Sequence, residues 1–352
     1  MRNNKIHMSS AARALPELEL KQADAEALLK EHYTGRLRPG SLKLMEKVFT
    51  HPSVRTRRFA VEAPASVLDE DPDKRAARFT ACAAGLGAVA ASAVMEKTGL
   101  KAGEISALVV NTCTGYICPG LSTYIAERLG FDRATKAYDL VGSGCGGAIP
   151  NIQLAAALAK ERPGSAVLSV AVEICSSVFE MGDDTSLIIS NALFGDGAAA
   201  AALWDRPSGF ELVDSMSRFA PQYREDIRFV HKNGRLHNQL SAGLPAFAAA
   251  EAGALVDELL KANGFAKGDI FRWAVHPGGE NVIQAVQERL GLGEEAMKYT
   301  RKVLSELGNM SSPTVLVILD EIEKEGVPPG ALVVMLAFGA GFAAHALLLR
   351  KK

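Results

Sequence analysis

A cysteine among glycines is the residue of this sequence best suited to covalent chemistry. Cys145 lies in residues 138–150 with four glycines around it, and the apolar stretch 152–158 that follows predicts a buried helix. A thiol at a helix start feels the positive end of the helix dipole, which lowers its pKa, and small neighbours let a substrate approach the sulfur. Cys145 is therefore a candidate covalent nucleophile, and a buried structural cysteine is the alternative.

A histidine follows a predicted strand in the second half of the chain. In the run Trp-Ala-Val-His-Pro-Gly-Gly at 273–279, Pro277 and the two glycines end the strand just after His276. The carboxyl end of a strand is where α/β proteins commonly carry active-site groups. His276 is a candidate partner for the thiol, and an ordinary loop histidine is the alternative.

An asparagine precedes a predicted helix near the C-terminus. Residues 307–313 read Leu-Gly-Asn-Met-Ser-Ser-Pro, in which Ser312 can cap a helix and Pro313 suits its first turn. Asn309 then lies in the loop before the helix with its amide free to donate. The alternative is an ordinary turn asparagine.

Together, these three side chains indicate acyl transfer through a thioester. The thiolate can attack one thioester and become acylated. His276 and Asn309 can bind the carbonyl oxygen of a second thioester, whose decarboxylation leaves an enolate that needs hydrogen-bond donors. A thioesterase or amidase that uses the same three groups for hydrolysis is an alternative from another class. A non-catalytic scaffold is the least informative alternative.

Composition sets limits on the class of protein. The chain has 352 residues, of which 48% are hydrophobic, and its formal net charge is -1 without a long basic run. A globular protein of two or three domains is expected, and nucleic acid is not expected as the main partner. The five cysteines lack a zinc-like spacing, and residues 1–10 hold no apolar signal core. We expect a reduced, cytoplasmic protein without a bound metal.

An internal repeat divides the chain. Residues 193–203 (the first copy) align with residues 337–347 (the second copy), sharing one phenylalanine, two glycines, three alanines and the last leucine. Such self-similarity predicts a duplicated unit, with halves at 1–205 and 206–352. The apolar segment 331–349 is long enough to cross a membrane, but two buried strands joined at a glycine turn explain it without a membrane span.

Apolar strands alternate with helices in both halves, which predicts an α/β fold with largely parallel sheets. Strands are predicted at 107–111, 166–173, 272–275 and 331–337. Helices are predicted at 23–31, 75–97, 121–129, 150–160, 246–263, 281–290 and 313–324.

Four stretches resemble the bacterial type III polyketide synthases, the chalcone synthase-like branch of the thiolase superfamily. They are the glycine-rich surround of Cys145, residues 191–200, residues 275–279 and residues 308–312. The resemblance implies a five-layered αβαβα sandwich and a homodimer that joins acyl-CoA starters to malonyl-CoA without a bound cofactor. It also implies that Cys145 is the nucleophile, that His276 and Asn309 form the decarboxylation pair, and that Phe194 is the gatekeeper between a CoA tunnel and the cavity.

The resemblance also suggests which residues bind substrate. Cys113, Cys175 and Val178 stand at pocket-lining positions and are small, which leaves room for an aliphatic chain. Cys118 stands where some relatives reach across the dimer into the partner's cavity. CoA binding is expected at Lys43, Lys47, Arg55, Arg57, Arg58 and Gly278, because basic side chains suit phosphates. A solvated basic face is the alternative for the five basic residues.

Two regions depart from the family pattern. The second gatekeeper region, 234–239, holds no aromatic ring except the imidazole of His237, and the cyclisation loop at 338–341 lacks the usual proline.

We expect alkylpyrones or alkylresorcinols from a fatty starter. The nearer alternative is a single-extension ketoacyl synthase of the third type, whose products would be linear β-keto thioesters.

Overall fold

The computed structural model describes residues 5–352, so the first four residues of the predicted polar N-terminus lie outside it. The described chain forms fourteen strands and ten α-helices. The strands are β1 (His7–Met8), β2 (Ala12–Ala14), β3 (Leu18–Lys21), β4 (Thr56–Phe59), β5 (Ile105–Thr112), β6 (Lys136–Val141), β7 (Ala166–Glu173), β8 (Gly197–Trp204), β9 (Phe210–Phe219), β10 (Ile227–Lys232), β11 (Arg235–Leu240), β12 (Ile270–Val275), β13 (Leu332–Gly339) and β14 (Ala343–Lys351). The helices are α1 (Gln22–Tyr33), α2 (Pro39–Phe49), α3 (Pro72–Thr98), α4 (Leu121–Leu129), α5 (Ala148–Glu161), α6 (Thr185–Leu193), α7 (Leu244–Ala262), α8 (Glu280–Leu290), α9 (Lys298–Leu307) and α10 (Thr314–Glu325).

The main sheet repeats one strand arrangement in its two halves. Its order is β12-β13-β14-β9-β1-β8-β7-β5-β6. In the first half, β5 and β7 are parallel and β8 runs antiparallel to β7; in the second, β12 and β13 are parallel and β14 runs antiparallel to β13. The short strand β1 pairs with both β8 and β9 and joins the halves.

Strand alternation divides the core into layers. Leu108 and Val110 of β5 pack in a cluster with α3 and α4, whereas the intervening Val109 packs with α5 and α10. The second half follows the same rule: the cluster that holds Val334 contains α7 and α8, and Met335 belongs to the cluster of α5 and α10. Because α5 and α10 lie between the two halves of the sheet, the order is helix, sheet, helix, sheet, helix. This is the predicted five-layered sandwich.

Equivalent residues of the two copies of the repeat point toward equivalent helix layers. Ala199 and Ala343 align, and so do Leu203 and Leu347; both leucines face the central helices. Ala200 and its counterpart in the second copy face the outer helices. The apolar segment 331–349 forms β13 and β14, which confirms two buried strands joined at a glycine turn. Among residues 5–352, the helix Pro72–Thr98 is long and apolar enough to cross a membrane by length and composition, with 44% of its most apolar window buried.

Each predicted strand and helix is present, with ends shifted by a few residues. The sequence did not predict the helices α2, α6 and α9 or the strands β1 to β4, β6 and β8 to β11. The division at 205/206 falls in the turn between Trp204, the end of β8, and Phe210, the start of β9. As a domain boundary it stays a prediction.

Candidate active site

The nucleophile candidate sits in a tight turn against the end of β13. Cys145 lies in a single 3₁₀ turn, Gly144–Gly146, and α5 begins at Ala148. A Cβ on Gly339 would come within 2.5 Å of the backbone nitrogen of Gly146 and 3.0 Å of the nitrogen of Cys145. Only glycine therefore lets the second copy approach the turn so closely.

Burial has a larger effect on the pKa of the Cys145 thiol than the start of the helix has. Burial raises the pKa of Cys145 to about 11; hydrogen bonding with the side chains of Ser311 and Asn309 lowers it only in part, and the charge of Glu173 raises it further. Burial also lowers the pKa of His276 to about 3. Both shifts favour a neutral thiol and a neutral imidazole in the free site, whereas a helix start alone favours the thiolate.

The histidine is held by its backbone and by one ring contact. The His276 N–H donates to the carbonyl of Leu336 at 2.8 Å, which continues the β12–β13 pairing. Its ring packs edge-on against Phe338, with ring centroids 5.8 Å apart. The side chain is buried at 1% exposure, and neither ring nitrogen has a partner among the described residues. The ring therefore has unused hydrogen-bonding capacity, and His276 lines the cavity.

The asparagine amide is oriented by its own loop. The Ser311 N–H donates to Asn309 Oδ1 at 2.8 Å, with Ser311 at a φ of 58°. The Asn309 backbone pairs with the gatekeeper segment: its N–H donates to Leu193 O at 2.9 Å, and its carbonyl accepts from the Gly195 N–H at 3.0 Å. Because Oδ1 is taken, the amide NH₂ is the end that can donate, on the side of the Cys145 thiol.

A buried carboxylate that the sequence analysis missed ties the two halves together beside the thiol. Glu173 ends β7 at 0% exposure and accepts from the Ser312 hydroxyl at 2.6 Å and the Cys113 N–H at 2.9 Å. Burial raises the pKa of Glu173, and the bond from Ser312 lowers it. The Ser312 hydroxyl therefore serves Glu173 rather than capping α10, which begins at Thr314. A charge ending an apolar strand was the available sequence indication.

One cavity collects the predicted catalytic and pocket residues. It encloses about 1320 Å³, counting its open mouth, and its walls are mostly apolar. Its lining includes the predicted residues Arg57, Cys113, Cys145, Cys175, Val178, Phe194, His276, Gly278 and Asn309. The wall continues between α1, α6 and the turn Pro64–Leu68, where it is formed by Ala25, Leu28, Leu29, Val67, Leu68 and Leu187.

The predicted second gatekeeper is one residue out of place. His237 does not line the cavity, whereas Asn238 and Leu240 of the same strand do. Neighbouring residues of a strand point to opposite faces, so the wall takes Asn238 and leaves His237 behind it. Phe229 of β10, which pairs with Asn238, supplies the aromatic ring that the sequence analysis found lacking.

Several predicted residues lie outside the cavity. Cys118 is exposed. Lys43 and Lys47 are exposed one helical turn apart on α2. Arg55 is exposed and donates to the Ser305 hydroxyl, and Arg58 pairs with Glu19 at 2.6 Å. The structure does not bring these residues into the chemical site.

Arg57, a predicted CoA-binding residue, is buried at the wall of the cavity instead of being exposed to solvent. Its side chain is 3% exposed and donates to the carbonyls of Asn191 and Phe194 at 2.6 and 2.8 Å. Its guanidinium stacks over the rings of Phe49 and Phe59. Burial lowers the pKa of Arg57 to about 9, against which Asp196 and Cys175 raise it. The hydrogen bonds of the Arg57 guanidinium thus go to Gln22 and to the carbonyls of Asn191 and Phe194.

No three His, Cys, Asp or Glu side chains among residues 5–352 come together in a way that could hold a metal ion. The arrangement offers one thiol, one neutral imidazole and one fixed amide at an apolar cavity. Such a set can accept an acyl group on sulfur and donate hydrogen bonds to a second carbonyl oxygen.

Two family models match the chain and meet near the predicted join. Residues 9–216 match a model described as "FAE1/Type III polyketide synthase-like protein". Residues 211–352 match the model of "Chalcone and stilbene synthases, C-terminal domain".

Characterised relatives cover most of the sequence. A 3,5-dihydroxyphenylacetyl-CoA synthase of Streptomyces toyocaensis is 33% identical over 73% of this chain and 68% of its own length. A 1,3,6,8-tetrahydroxynaphthalene synthase of Streptomyces peucetius is 28% identical over 96% of this chain and 91% of its own. The alpha-pyrone synthesis polyketide synthase-like Pks18 of Mycobacterium tuberculosis is 27% identical over 96% and 89%.

Solved structures share the whole fold. The tetrahydroxynaphthalene synthase of Streptomyces coelicolor superposes with a TM-score of 0.90 at 26% identity, covering 98% of this chain and 99% of the other. The polyketide synthase PKS-I of the brown alga Ectocarpus siliculosus superposes with a TM-score of 0.89 at 26% identity and covers both chains fully, at 100% each.

Proposed function

This chain belongs to the chalcone synthase-like type III polyketide synthases, and from that premise we propose that it extends a long-chain acyl-CoA with malonyl-CoA and releases an alkylpyrone or alkylresorcinol. The family's enzymes are acyltransferases that catalyse decarboxylative condensation. The observation that carries the choice of starter is the apolar wall beyond Cys175 and Val178, which continues between α1 and α6.

The first half-reaction loads the starter on sulfur. The Cys145 proton passes to neutral His276 as the sulfur attacks the thioester carbonyl. The C–S bond to CoA then breaks, and the CoA sulfur leaves with a proton. Because burial holds the pKa of Cys145 at about 11, this proton transfer must accompany substrate binding rather than precede it.

The second half-reaction makes the carbon–carbon bond. Malonyl-CoA loses CO₂, and the electron pair of the broken C–C bond becomes a thioester enolate. His276 and the Asn309 amide donate to its oxygen, where negative charge develops. The enolate carbon attacks the acyl carbonyl on Cys145, the C–S bond breaks, and the thiolate is free to accept the lengthened chain. The unpartnered ring nitrogens of His276 and the free end of the Asn309 amide support these roles.

The apolar wall favours a fatty starter over a polar one. Each buried methylene contributes roughly 0.8 kcal/mol, so a lined cavity rewards chain length until it is full. Pks18 is described as an alpha-pyrone synthesis enzyme, which supports the pyrone outcome.

The decisive experiment is mass spectrometry of products after incubation with malonyl-CoA and acyl-CoAs of increasing length. We expect pyrones or resorcinols with alkyl tails, and kcat/KM rising with tail length. Linear β-keto thioesters would indicate the single-extension enzyme. Free fatty acid alone would indicate a thioesterase. A preference for acetyl- or malonyl-CoA starters would refute the fatty starter and leave the condensing chemistry in place.

We propose that Lys43 and Lys47 meet the CoA phosphates. Both are exposed on one face of α2, and neither makes an ion pair among residues 5–352, so their charges are free for an anion. The double variant Lys43→Ala/Lys47→Ala should raise KM for acyl-CoA and leave KM for the matching N-acetylcysteamine thioester, which lacks the phosphates. An equal change for both substrates would refute the phosphate contact.

We also propose a cytoplasmic homodimer joined along β6. This strand is one edge of the main sheet; its last residue, Val141, is 57% exposed, and Tyr116 in the loop after β5 is 80% exposed. Apolar side chains at an open edge favour association, and Cys118 lies in the same region. The five free cysteines suit a reducing compartment. Light scattering should give a dimer mass, and Val141→Lys should shift it toward the monomer; a parent protein that is monomeric would refute the proposal.

A further inference from the structure

The last carbonyls of α6 are capped by partners from distant parts of the chain. The last carbonyls of a helix have no partners within it and must find others. In α6 the carbonyl of Asn191 accepts from Arg57 Nη1 at 2.6 Å, and that of Ala192 accepts from Gln22 Nε2 at 2.7 Å. The carbonyl of Leu193 accepts from the backbone N–H of Asn309 at 2.9 Å. The catalytic candidate Asn309 and the capping side chains of Arg57 and Gln22 thus bind carbonyls at the same end of α6.

Gln22 and Arg57 form a single unit, here called the clamp. Arg57 Nε donates to Gln22 Oε1 at 3.0 Å, and Arg57 Nη1 also donates to the carbonyl of Phe194 at 2.8 Å. A cation suits this place, because a helix C-terminus carries partial negative charge and charge-assisted hydrogen bonds are strong. A guanidinium presents its donors in a fixed fork, which a lysine cannot reproduce.

The stem of Arg57 also fixes the approach to Asn309. A Cβ on Gly308 would come within 2.8 Å of Arg57 Cγ and 2.6 Å of the carbonyl oxygen of Leu193. Gly308 therefore passes between the arginine stem and the end of α6. The residue before Asn309 is a glycine at this close approach, with a φ of 72°.

We propose that Arg57, with Gln22, is a positioning residue that fixes the Asn309 amide and the Phe194 ring at the cavity. The inference rests on the proposed function of Asn309 as an enolate donor. Arg57 acts through the Leu193–Asn309 and Gly195–Asn309 backbone bonds and touches no reacting atom. Loss of the clamp frees the carbonyls at the end of α6, and the Asn309 loop that pairs with them shifts.

The test separates the two half-reactions. In Arg57→Met, malonyl-CoA decarboxylation should fall in kcat by roughly ten- to a hundredfold, the scale on which misplacement by about 1 Å acts. Acylation of Cys145 by acyl-CoA, followed in a single turnover by mass spectrometry, should stay within about threefold of the parent. Arg57→Lys should be intermediate. A parallel loss in both steps would overturn the proposal, because it would indicate general damage.

A double-mutant cycle with Asn309→Ala identifies the route. If Arg57 acts through Asn309, Arg57→Met should cost little in the Asn309→Ala background. Equal costs in both backgrounds would overturn the proposal. Asn309→Ala at the parent rate would instead refute the proposed role of Asn309 itself, whereas a slow Asn309→Ala beside a parent-like Arg57→Met would refute only the positioning.

Two further variants guard against misfolding. Arg289→Met is the matched control: its stem packs on Gly253 as that of Arg57 packs on Gly308, but it pairs with Asp257 away from the cavity. It should keep both rates. Should Arg57→Met fail to fold in thermal unfolding, Gln22→Met removes only the bonds to Ala192 and Arg57. It should lower decarboxylation in the same direction by a smaller factor, and an unchanged rate would overturn the proposal.

Discussion

The two copies of the repeat lie at the same cavity and do different work there. In the first copy, Phe194 stands beside the Asn309 loop, with which it forms a parallel bridge. In the second copy, Phe338 packs on His276, and Gly339 packs on the turn of Cys145. The first copy therefore contacts the Asn309 loop, and the second contacts His276 and the turn of Cys145.

The two copies of the repeat differ at the residue between their glycines. Asp196 of the first copy is fully buried and accepts from the Ala60 N–H at 2.7 Å and the Ser176 hydroxyl at 2.6 Å. Its counterpart in the second copy, Ala340, packs against Gly144 without any polar contact. A buried carboxylate is needed where separate segments must be tied together, whereas backbone packing suffices where the copy lies directly on the turn.

Removing the sulfur that the second copy supports should have the largest effect. Cys145→Ala should abolish chain extension and keep the fold, because the side chain lines a cavity rather than filling a core. Cys145→Gln, which mimics the acylated state, should keep malonyl-CoA decarboxylation. Peptide mapping after trapping with acyl-CoA should find the acyl group on Cys145. An adduct on Cys113 or Cys175 would contradict the assignment.

Loss of a hydrogen-bond donor, His276 or Asn309, should have the second-largest effect. Loss of one oxyanion donor costs on the order of 3 kcal/mol, so His276→Ala and Asn309→Ala should each slow malonyl-CoA decarboxylation by about a hundredfold or more. Release of labelled CO₂ measures this. A variant that decarboxylates at the parent rate would remove its residue from the mechanism.

Paired glycine changes test the division of labour directly. A Cβ at Gly339 would meet the turn of Cys145 at 2.5 Å, and one at Gly195 would meet Leu307 O at 2.8 Å, next to the Asn309 loop. Gly339→Ala should slow acylation by roughly ten- to a hundredfold, and Gly195→Ala should slow decarboxylation and spare acylation. Gly103→Ala, where a Cβ meets nothing within 4 Å, is the control. The same loss from both variants would show that the two copies do not support different steps.

The protonation state of the thiol distinguishes burial from the helix dipole. With a pKa of about 11, Cys145 should react with iodoacetamide about tenfold faster for each unit of pH between 7 and 9, since thiolate is the reactive form. His276→Ala should keep that slope, because the neutral imidazole supplies no charge. Labelling of Cys145→Ala gives the background to subtract. A rate that is flat above pH 7 would show a thiolate already formed.

The smallest effect concerns chain length. Apparent affinity should rise about fourfold for each methylene until the cavity is full, at roughly 0.8 kcal/mol each. Cys175→Phe should fill part of the cavity and shift the preference in kcat/KM toward short starters. Leu28→Ala, further along the same wall, should keep short starters and weaken long ones. Unchanged preference in Cys175→Phe would remove the long-chain assignment.

Predictions from pattern succeeded where the pattern is local. The run 166–173 is β7 residue for residue, because an apolar strand is bounded by its own turn signals. They failed by one residue at His237, since a short polar strand carries no pattern that fixes its face. Arg57 was taken for a surface cation because a basic cluster looks the same in sequence whether its members face solvent or a helix end.

The α/β class and the thiol, imidazole and amide could be read from the sequence, because they follow from local spacing, hydrophobic period and the glycine motifs. The family and its five layers came from the resemblance of four stretches to known relatives. The burial of Cys145, the contacts of Arg57 and the link through Glu173 are seen only in the folded chain. Each of these depends on how far water is excluded and on partners more than a hundred residues away, as Arg57 is from Asn191 and Glu173 from Ser312. Burial and long-range contacts arise only when the two halves pack, so no local pattern contains them.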